Sequence, residues 1–399
     1  MHIVIVFLLY NNMKLSFQLL LPFLWIHMSS QKVLYSWKYI DFDFVTEKER
    51  DEYIQKGQYQ KNASVPIDTM ITSDKIFITI PRSEGVPASL GTLNTKKQNG
   101  GGPLVRPYPN WKWAANIQDC NNNIISVYRV DVDDCNRLWV LDNGKIGEEQ
   151  KCPPKILAFD LKTDKVMVQK EIPNKYAFNS DGNGLLVTPL VKTLGKQCEH
   201  ITVYMADIEG YGLVIWRGGD NFQRIDSPDF AADKPYFKLN GDSFYLSDGL
   251  VGLALYEGDK KNDSKLYCSA LASYNMYHIS VNSLEQSINK KVDIYQDKGD
   301  IDFHKVALVA NDYDLFFASL EDNALRMWDI RTKFNKKNTK IIKKDNNVLQ
   351  FVSGLKIIKN NNVFSGCTVI YGLSNKFQKT AAGTRSLDEI NYQIFKYHL

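Results

Sequence analysis

A short aromatic strand that ends in a turn recurs along this chain, and this repeat constrains the fold more than any other feature. The six segments are "IFITIPR" at 76, "LWVLDNG" at 138, "VYMADIEG" at 203, "FYLSDGLVG" at 244, "LFFASLEDN" at 315 and "VIYGLSNKF" at 369. Their aromatic markers are separated by 62, 65, 41, 71 and 55 residues. A unit of this size cannot bury its apolar face alone, so neighbouring units must stack against one another.

Further short strands surround most of these segments. Those that follow are "ILAFDL" at 156, "LVIWRG" at 213, "LALYEG" at 253, "LRMWDI" at 325 and "YQIFKY" at 392, and "VYRVDV" and "KVALVAN" are among those that precede. Aromatic residues make up 12% of the chain, which favours strands over helices. Six units of three or four strands predict an all-β protein, a six-bladed β-propeller with four-stranded blades around a central channel.

The residues before the repeats divide into two parts. Residues 1–30 hold one charged residue, Lys14, and an apolar run broken by Pro22, which is too short to span a bilayer. This pattern predicts a signal peptide, with a working start at Met13, and a secreted protein that is not held in a membrane.

Residues 31–63 are expected to form an N-terminal strand and a short helix. The strand "KVLYSWKYIDF", 32–42, would close the ring of the propeller, residues 64–399, by pairing beside "YQIFKY". The helix is predicted at 46–57, where Thr46 can cap its start and Gly57 can end it.

Six cysteines follow the predicted signal peptide, and an even number in an exported chain indicates disulfides. The candidates are Cys120, Cys135, Cys152, Cys198, Cys268 and Cys367. Cys135 with Cys152 is the favoured local pair, and the other pairings stay open. The sequons at Asn62 and Asn262 predict glycans on surface loops.

The segment "RVDVDDCNRLWVLDNG", 129–144, packs several acids between two apolar runs. Asp and Asn favour turns because their side chains bond nearby backbone amides, so we interpret Asp133 and Asn136 as a turn between two blade strands. A calcium loop does not fit, since Cys135 replaces a ligand and the required glycine is missing. We expect no bound metal and no cofactor.

Net charge and motifs exclude several classes of function. The formal net charge is +4, and +3 without residues 1–30, which is too small and too dispersed to indicate nucleic-acid binding. The chain has no GxSxG, Walker A, GxGxxG or HExxH motif, so we do not expect an enzyme. Acids brought together from separate blades, as in a calcium-dependent hydrolase, would leave no linear motif, and that alternative stays open.

A propeller also offers a funnel at the mouth of its channel, lined by loops from several blades. Aromatic and polar side chains there would suit a small flat ligand that bears a cation. In "SNKFQK", 374–379, Asn375 and Phe377 stand two apart, so an extended backbone would place both on one side.

Several of these segments resemble the major royal jelly and yellow protein family. They are "SVYRVDVDDCNRLWVLDNG", "CPPKILAFDLKTDKVMVQKEIP", "DGLVGLALY" and "GLSNKFQK", in order along nearly the whole chain after residue 37. Within that family, "GGPLVRPYPNW" and "SNKFQK" resemble most closely the yellow-related salivary proteins of blood-feeding flies.

This resemblance implies a function and a site. It implies a secreted salivary scavenger, which we expect to be monomeric, that binds biogenic amines such as serotonin, catecholamines and histamine in the channel. Such binding would counter host vasoconstriction, platelet activation and inflammation. The matching positions are Phe377, which would stack on the ligand ring, and Asn375 and Ser353, which would accept hydrogen bonds; Tyr108 is a further lining candidate.

Two other functions in the same family stay open. A yellow-type enzyme of melanin chemistry, which converts dopachrome, would use a similar pocket but would consume its substrate. A nutritive or structural role like that of royal jelly would predict an occluded or apolar channel.

Overall fold

The computed structural model describes residues 31–259, 263–286, 292–359 and 368–399. Its strands form six four-stranded antiparallel sheets, and the innermost strands contact one another in a closed ring. This confirms the six-bladed β-propeller.

The four strands of each blade follow one another from the channel outwards. Blade 1 comprises Asp68–Ile71, Ile76–Thr79, Leu90–Asn99 and Gly102–Pro107; blade 2, Val127–Val132, Arg137–Asp142, Lys155–Asp160 and Val166–Glu171; blade 3, Leu186–Leu194, His200–Asp207, Gly212–Trp216 and Phe222–Asp226. Blade 4 comprises Leu250–Tyr256, Lys265–Ala270, Tyr277–Ser280 and Tyr295–Gln296; blade 5, Lys305–Asn311, Asp314–Ser319, Ala324–Asp329 and Thr339–Lys344; blade 6, Phe351–Lys359, Thr368–Asn375, Tyr392–His398 and Gln31–Trp37.

Short helices and two small hairpins connect the blades. The helices are Glu47–Gln55, Trp111–Ala115, Asn174–Ala177, Val281–Gln286 and Phe377–Ala381, with a 3-10 turn at Pro228–Phe230. The hairpins pair Lys145–Ile146 with Glu149–Gln150 and Tyr236–Leu239 with Asp242–Tyr245; we call the second one the lid hairpin. No helix in the described ranges is long and apolar enough to cross a membrane.

Blade 6 takes its outermost strand from the N-terminal side of the chain. Gln31–Trp37 pairs antiparallel with Tyr392–His398, the position that the sequence predicts for it. Trp37 is fully buried and its indole Nε1 donates to the Pro103 carbonyl oxygen of blade 1 at 2.8 Å. The ring is therefore closed by a side-chain contact to the next blade as well as by the strand ladder.

Apolar side chains fill the spaces between neighbouring blades. Trp139 of blade 2 lies 6.2 Å from Trp216 of blade 3, centroid to centroid, and Tyr267 of blade 4 meets Trp328 of blade 5 edge-on at 5.7 Å. Burying a large side chain of this kind contributes roughly 1.5–3 kcal/mol. The repeat thus stabilises the fold through contacts between units, as expected for stacked blades.

The acidic segment at 129–144 forms the turn between the first two strands of blade 2. Asp133 Oδ1 accepts hydrogen bonds from the backbone amides of Cys135 and Arg137, both at 3.0 Å. Its Oδ2 accepts from the Arg137 Nε at 2.6 Å and from the Trp139 Nε1 at 2.7 Å. Asn136 has a φ of 61°, a left-handed value that Asn tolerates. The interpretation of this segment as a turn is confirmed.

One of the six repeat markers was wrong. Tyr245 belongs to the lid hairpin, whereas the second strand of blade 4, the place of the other markers, is Lys265–Ala270 and contains Tyr267. The hairpin alternates aromatic and polar residues just as a blade strand does, so the pattern alone predicted a blade strand. With Tyr267 in its place, the irregular spacings of 41 and 71 disappear.

The favoured disulfide was also wrong. The structure pairs Cys120 with Cys152 and Cys135 with Cys198. Cys135 and Cys152 cannot meet because the strand Arg137–Asp142 carries the chain from one face of the ring to the other between them.

The remaining cysteines and the sequons have different outcomes. Cys268 is a buried free thiol, so its place among the disulfide candidates was wrong, and burial raises the pKa of this thiol. Cys367 and Asn262 lie outside the described residues. Asn62 is exposed in a turn, and its glycosylation stays a prediction.

Candidate functional site

The central channel has two mouths of different construction. We call the end where the innermost strands begin the upper mouth and the end where they finish the lower mouth. The lid hairpin and the helix Phe377–Ala381 lie at the upper mouth, because both connect to strand ends on that face. The lower mouth is bordered by the turns between first and second strands.

A buried arginine separates the two mouths. Arg129 of blade 2 donates through Nη2 to the Ser353 carbonyl oxygen of blade 6 at 2.8 Å and through Nη1 to the Thr188 Oγ1 of blade 3 at 3.0 Å. The Thr188 hydroxyl in turn donates to the Val251 carbonyl oxygen of blade 4 at 2.8 Å. These bonds, which we call the Arg129 bridge, cross the channel and tie four blades together.

Three of the four predicted ligand residues come together at the upper mouth. Asn375 Nδ2 donates to the Ser353 Oγ at 3.1 Å, and the Phe377 amide donates to the Asn375 Oδ1 at 3.0 Å. Ser353 Oγ also donates to the Ile67 carbonyl oxygen at 2.6 Å, and Asn375 Nδ2 to that of Pro66 at 2.8 Å. Ser353 and Asn375 are thus satisfied by the protein itself and position the turn that presents Phe377.

Aromatic rings crowd around Phe377. Its centroid lies 5.2 Å from that of Phe351 and 6.1 Å from that of Phe244 of the lid hairpin. Phe244 stacks on Phe237 at 5.1 Å, and Phe237 stacks on the His304 ring at 3.8 Å. Phe377 itself stays partly exposed.

His304 anchors the lid hairpin. Its Nε2 lies 2.9 Å from the Lys234 carbonyl oxygen just before the hairpin, and its Nδ1 lies 2.5 Å from the Glu321 Oε1. The carbonyl can only accept, and the carboxylate accepts when ionised, so with ionised Glu321 both ring nitrogens must donate. These two contacts fix the orientation of the His304 ring at the base of the lid hairpin.

Asp248 is a functional candidate that the sequence analysis missed. Burial raises the pKa of this carboxyl to about 6. The negative charge of the nearby Glu209 adds to this effect, and the positive charge of Arg129 opposes it. Its carboxylate accepts no hydrogen bond and forms no ion pair with any residue that the structure describes. The sequence held one signal for Asp248: it is the acid of "SDG", directly before an innermost strand. This signal was missed because the segment was interpreted as one of the repeated blade strands.

Tyr128 lies in the same part of the upper mouth as Asp248. Its side chain packs against the buried cluster that includes Phe351, and burial, then the charge of Asp248, raises its pKa. Tyr128 therefore stays a neutral phenol beside a carboxylate.

Tyr108 does not belong to this group. It is buried between blades 1 and 2, edge-on to Phe77 at 5.0 Å and to Phe159 at 5.4 Å. Its hydroxyl donates to the Asp164 Oδ1 at 2.7 Å. The structure gives Tyr108 a packing role, away from the three residues of blade 6.

The lower mouth opens into a cavity of about 1350 Å³. None of Ser353, Asn375, Phe377 and Tyr108 lines it, so it is separate from the predicted site. Within the described residues, no group of His, Cys, Asp or Glu side chains is arranged to hold a metal ion.

Comparison with known proteins gives one consistent family. The family model described as major royal jelly protein matches residues 125–399. Major royal jelly protein 9 of Apis mellifera is 40% identical over 374 residues, which cover 91% of this chain and 86% of that protein. Major royal jelly protein 8 of the same species is 35% identical over 381 residues, covering 92% and 90%. A closer likeness to fly salivary proteins stays a prediction.

Proposed function

This chain belongs to the major royal jelly protein family, and we propose that it is a secreted member that binds biogenic amines at its upper mouth. Two disulfides fit an oxidising extracellular compartment. We further propose that binding is stoichiometric and that the chain is not an enzyme.

The observation that carries this proposal is the unpartnered carboxylate of Asp248 at a mouth lined by aromatic rings. A primary ammonium group would give the partly buried Asp248 carboxylate a direct ion-pair partner, in addition to the more distant positive charge of Arg129. Phe377 and Tyr128 offer ring faces or edges to an aromatic amine, with stacking worth about 0.5–1.5 kcal/mol beyond area burial. Serotonin, catecholamines and histamine combine these two features.

One observation favours a second candidate, a nutritive or structural role. Asn375 already uses its amide within the protein, and Phe237, Phe244 and Phe351 occupy much of the space beside Phe377. The relatives are named as royal jelly proteins, which agrees with this role. Under this alternative the aromatic plug only stabilises the ring and no amine binds.

Isothermal titration calorimetry with serotonin separates the two candidates. We expect saturation near one amine per chain and an affinity at least tenfold lower in Asp248→Asn and Phe377→Ala. Asp181→Asn, an exposed loop acid of blade 3, is the matched control and should leave binding unchanged. Absence of heat with serotonin, noradrenaline and histamine would sink the amine proposal and leave the nutritive or structural role.

The enzyme alternative needs a separate assay. Dopachrome is incubated at a hundredfold molar excess over the protein. Its absorbance is then followed and compared with that of the spontaneous reaction without protein. A binder removes at most one equivalent, whereas an enzyme consumes the whole excess.

A further inference from the structure

The floor of the lower cavity carries four charged side chains. Asp68, Arg129, Asp131 and Lys356 all come from innermost strands. Lys356 Nζ lies 3.0 Å from the Asp68 Oδ2 and donates to the Val130 carbonyl oxygen at 2.6 Å. Each guanidinium nitrogen of Arg129 donates a hydrogen bond within the Arg129 bridge. The two cations of the floor are therefore already occupied.

The two acids of the floor keep unused acceptor capacity. Asp68 is fully buried, yet its Oδ1 accepts no hydrogen bond from any described residue. Gly354 makes room for this atom at the channel, since a Cβ there would lie 2.4 Å from it. Asp131 accepts from the Val191 amide at 2.8 Å and the Val132 amide at 2.9 Å. No ion pair links Asp131 to a cation in the described ranges.

The rim and the wall of this cavity differ in chemistry. The rim carries four exposed acids, Asp134, Glu257, Asp259 and Asp312, and Arg129 and Lys356 of the floor are the only cations among the described lining residues. Between floor and rim the wall is apolar, with Met70, Leu190, Leu255, Val309, Leu355 and Ile357. This acidity is local, because the chain as a whole has a net charge of +4.

We propose that the lower cavity is a second ligand site, separate from the upper mouth, which binds an aliphatic polyamine. One ammonium group lies at the floor, where it donates to Asp131 and to the free oxygen of Asp68. The methylene chain lies along the apolar wall, and the outer ammonium groups lie among the rim acids. Carboxylates at both ends of an apolar passage match a chain that has a cation at each end.

The charge state of Asp131 supports this assignment. Burial, which outweighs the opposing effect of Lys356, raises the pKa of its carboxyl to about 6. A bound ammonium group would lower this pKa and would be released as the carboxylate protonates. Polyamine affinity is therefore expected to fall as the pH drops below 6.

The organisation of the cavity also argues against a bare metal ion. A divalent cation such as Ca²⁺ needs six to eight oxygen ligands close together. The described acids are not grouped in that way. An extended cation, by contrast, can use acids that are separated from one another.

Spermidine is the probe for the test, with calorimetry on the full chain at low salt. We expect one spermidine per chain and an affinity at least tenfold lower in Asp131→Asn. A second variant combines Asp134→Asn, Glu257→Gln and Asp312→Asn, whose sites are exposed and whose replacements keep side-chain shape. We expect a loss of threefold or more in this variant, and the loss should shrink as salt is added.

Controls separate this site from the upper mouth. Asn375→Ala and the exposed loop variant Asp181→Asn should bind spermidine as the unchanged protein does. Saturating serotonin should not displace spermidine, and Asp131→Asn should keep its serotonin binding. Spermidine binding without serotonin binding would remove the function proposed for the upper mouth and leave this one standing.

Four outcomes would overturn the proposal. The first three are the absence of saturable spermidine binding, binding that neither the floor variant nor the rim variant weakens, and one-for-one displacement of spermidine by serotonin. Ammonium chloride at the same concentration of positive charge tests the role of the methylene chain. If it competes as well as spermidine does, the apolar wall contributes nothing and the polyamine assignment is wrong.

Discussion

The upper and lower mouths are built by opposite ends of the same six strands, yet they differ in what surrounds them. Long connections reach the upper end, and the lid hairpin brings Phe237 and Phe244 over the channel. At the lower end the first and second strands are joined by turns, several of them short and rich in aspartate, such as Asp133–Asn136 and Asp312–Tyr313. The upper mouth is therefore aromatic and covered by the lid hairpin, and the lower mouth is acidic and open.

This difference has its origin in local backbone chemistry. Asp and Asn are favoured in tight turns because they bond nearby amides and tolerate left-handed φ values, as Asn136 and Asp312 do with 61° and 50°. A ring of such turns concentrates acids at one face of a propeller without any requirement for a ligand. The unused oxygen of Asp68 and the unpaired carboxylate of Asp131 lie deeper and are not explained by turns.

The comparison depends first on the Arg129 bridge, because its bonds cross the channel between the two mouths. Arg129→Met should leave the Ser353 carbonyl and the Thr188 hydroxyl without their donor and remove the nearby positive charge from Asp68 and Asp248. We expect a loss of ~3–5 kcal/mol in the free energy of unfolding, measured in urea. Arg331→Met, an exposed arginine paired with Asp329, is the control and should cost less than ~1 kcal/mol. Equal losses would mean that the bridge is not a structural element.

The two disulfides test the faces separately. Cys135–Cys198 joins two turns of the lower face across blades 2 and 3, whereas Cys120–Cys152 joins loops of the upper face. Replacing either pair by serines should cost ~2–4 kcal/mol in the free energy of unfolding. Loss of the lower pair should also raise hydrogen exchange around Asp134 and leave the lid hairpin unchanged. The reverse pattern would contradict the assignment of the pairs to the two faces.

A variant of the lid hairpin tests the description of the upper mouth as covered. Phe244→Ala removes a ring that stacks on Phe237 and covers Phe377. We expect a loss of about 3 kcal/mol in stability, at the low end for a buried Phe because the hairpin lies at the surface. If the hairpin limits access, serotonin should associate faster with this variant in stopped-flow measurements. Tyr245→Ser, on the exposed side of the same strand, should change neither quantity.

Acid titration gives the smallest expected effect and touches both mouths at once. Asp131 and Asp248 each have a folded-state pKa of about 6, above the ordinary value of 3.8. The folded state therefore holds more protons than the unfolded state between these values, so the free energy of unfolding rises as the pH falls from 7 to 5. We expect a gain on the order of 1 kcal/mol for each group. Asp131→Asn and Asp248→Asn should each remove the gain that comes from the replaced acid. If the free energy of unfolding of a variant depends on pH as that of the unchanged protein does, the burial of that acid is contradicted.

The sequence was sufficient for the fold because blade strands carry local, repeated signals. Aromatic and β-branched runs that end in Asp-rich or Gly-rich turns indicated five of the six second strands, and Gln31–Trp37 was expected at its position in blade 6. Blade 4 was misread because a hairpin on the surface of the ring alternates aromatic and polar residues as a blade strand does. Local pattern cannot distinguish a pleated hairpin outside a sheet from one inside it.

The site was less predictable because it depends on distances between blades. Asn375 and Phe377 stand in one turn, so their proximity followed from the sequence. Asp248 comes from a different blade, and its lack of a partner is visible only when the ring is assembled. The disulfide prediction failed for the same reason. Cys135 and Cys152 are close in the sequence, but the strand between them crosses the ring, so the two cysteines lie on opposite faces.

Closure of the ring by Gln31–Trp37 has a consequence for the order in which the protein is made. A ribosome synthesises this strand hundreds of residues before its partner, Tyr392–His398. The strand therefore stays without its partner until almost the whole chain has been made. During that interval the chain exposes an unpaired strand edge, the kind of surface that promotes aggregation. Contacts between such distant residues also form slowly, because a long loop must first be closed. Blade 6 is therefore expected to be the final part of the molecule to fold.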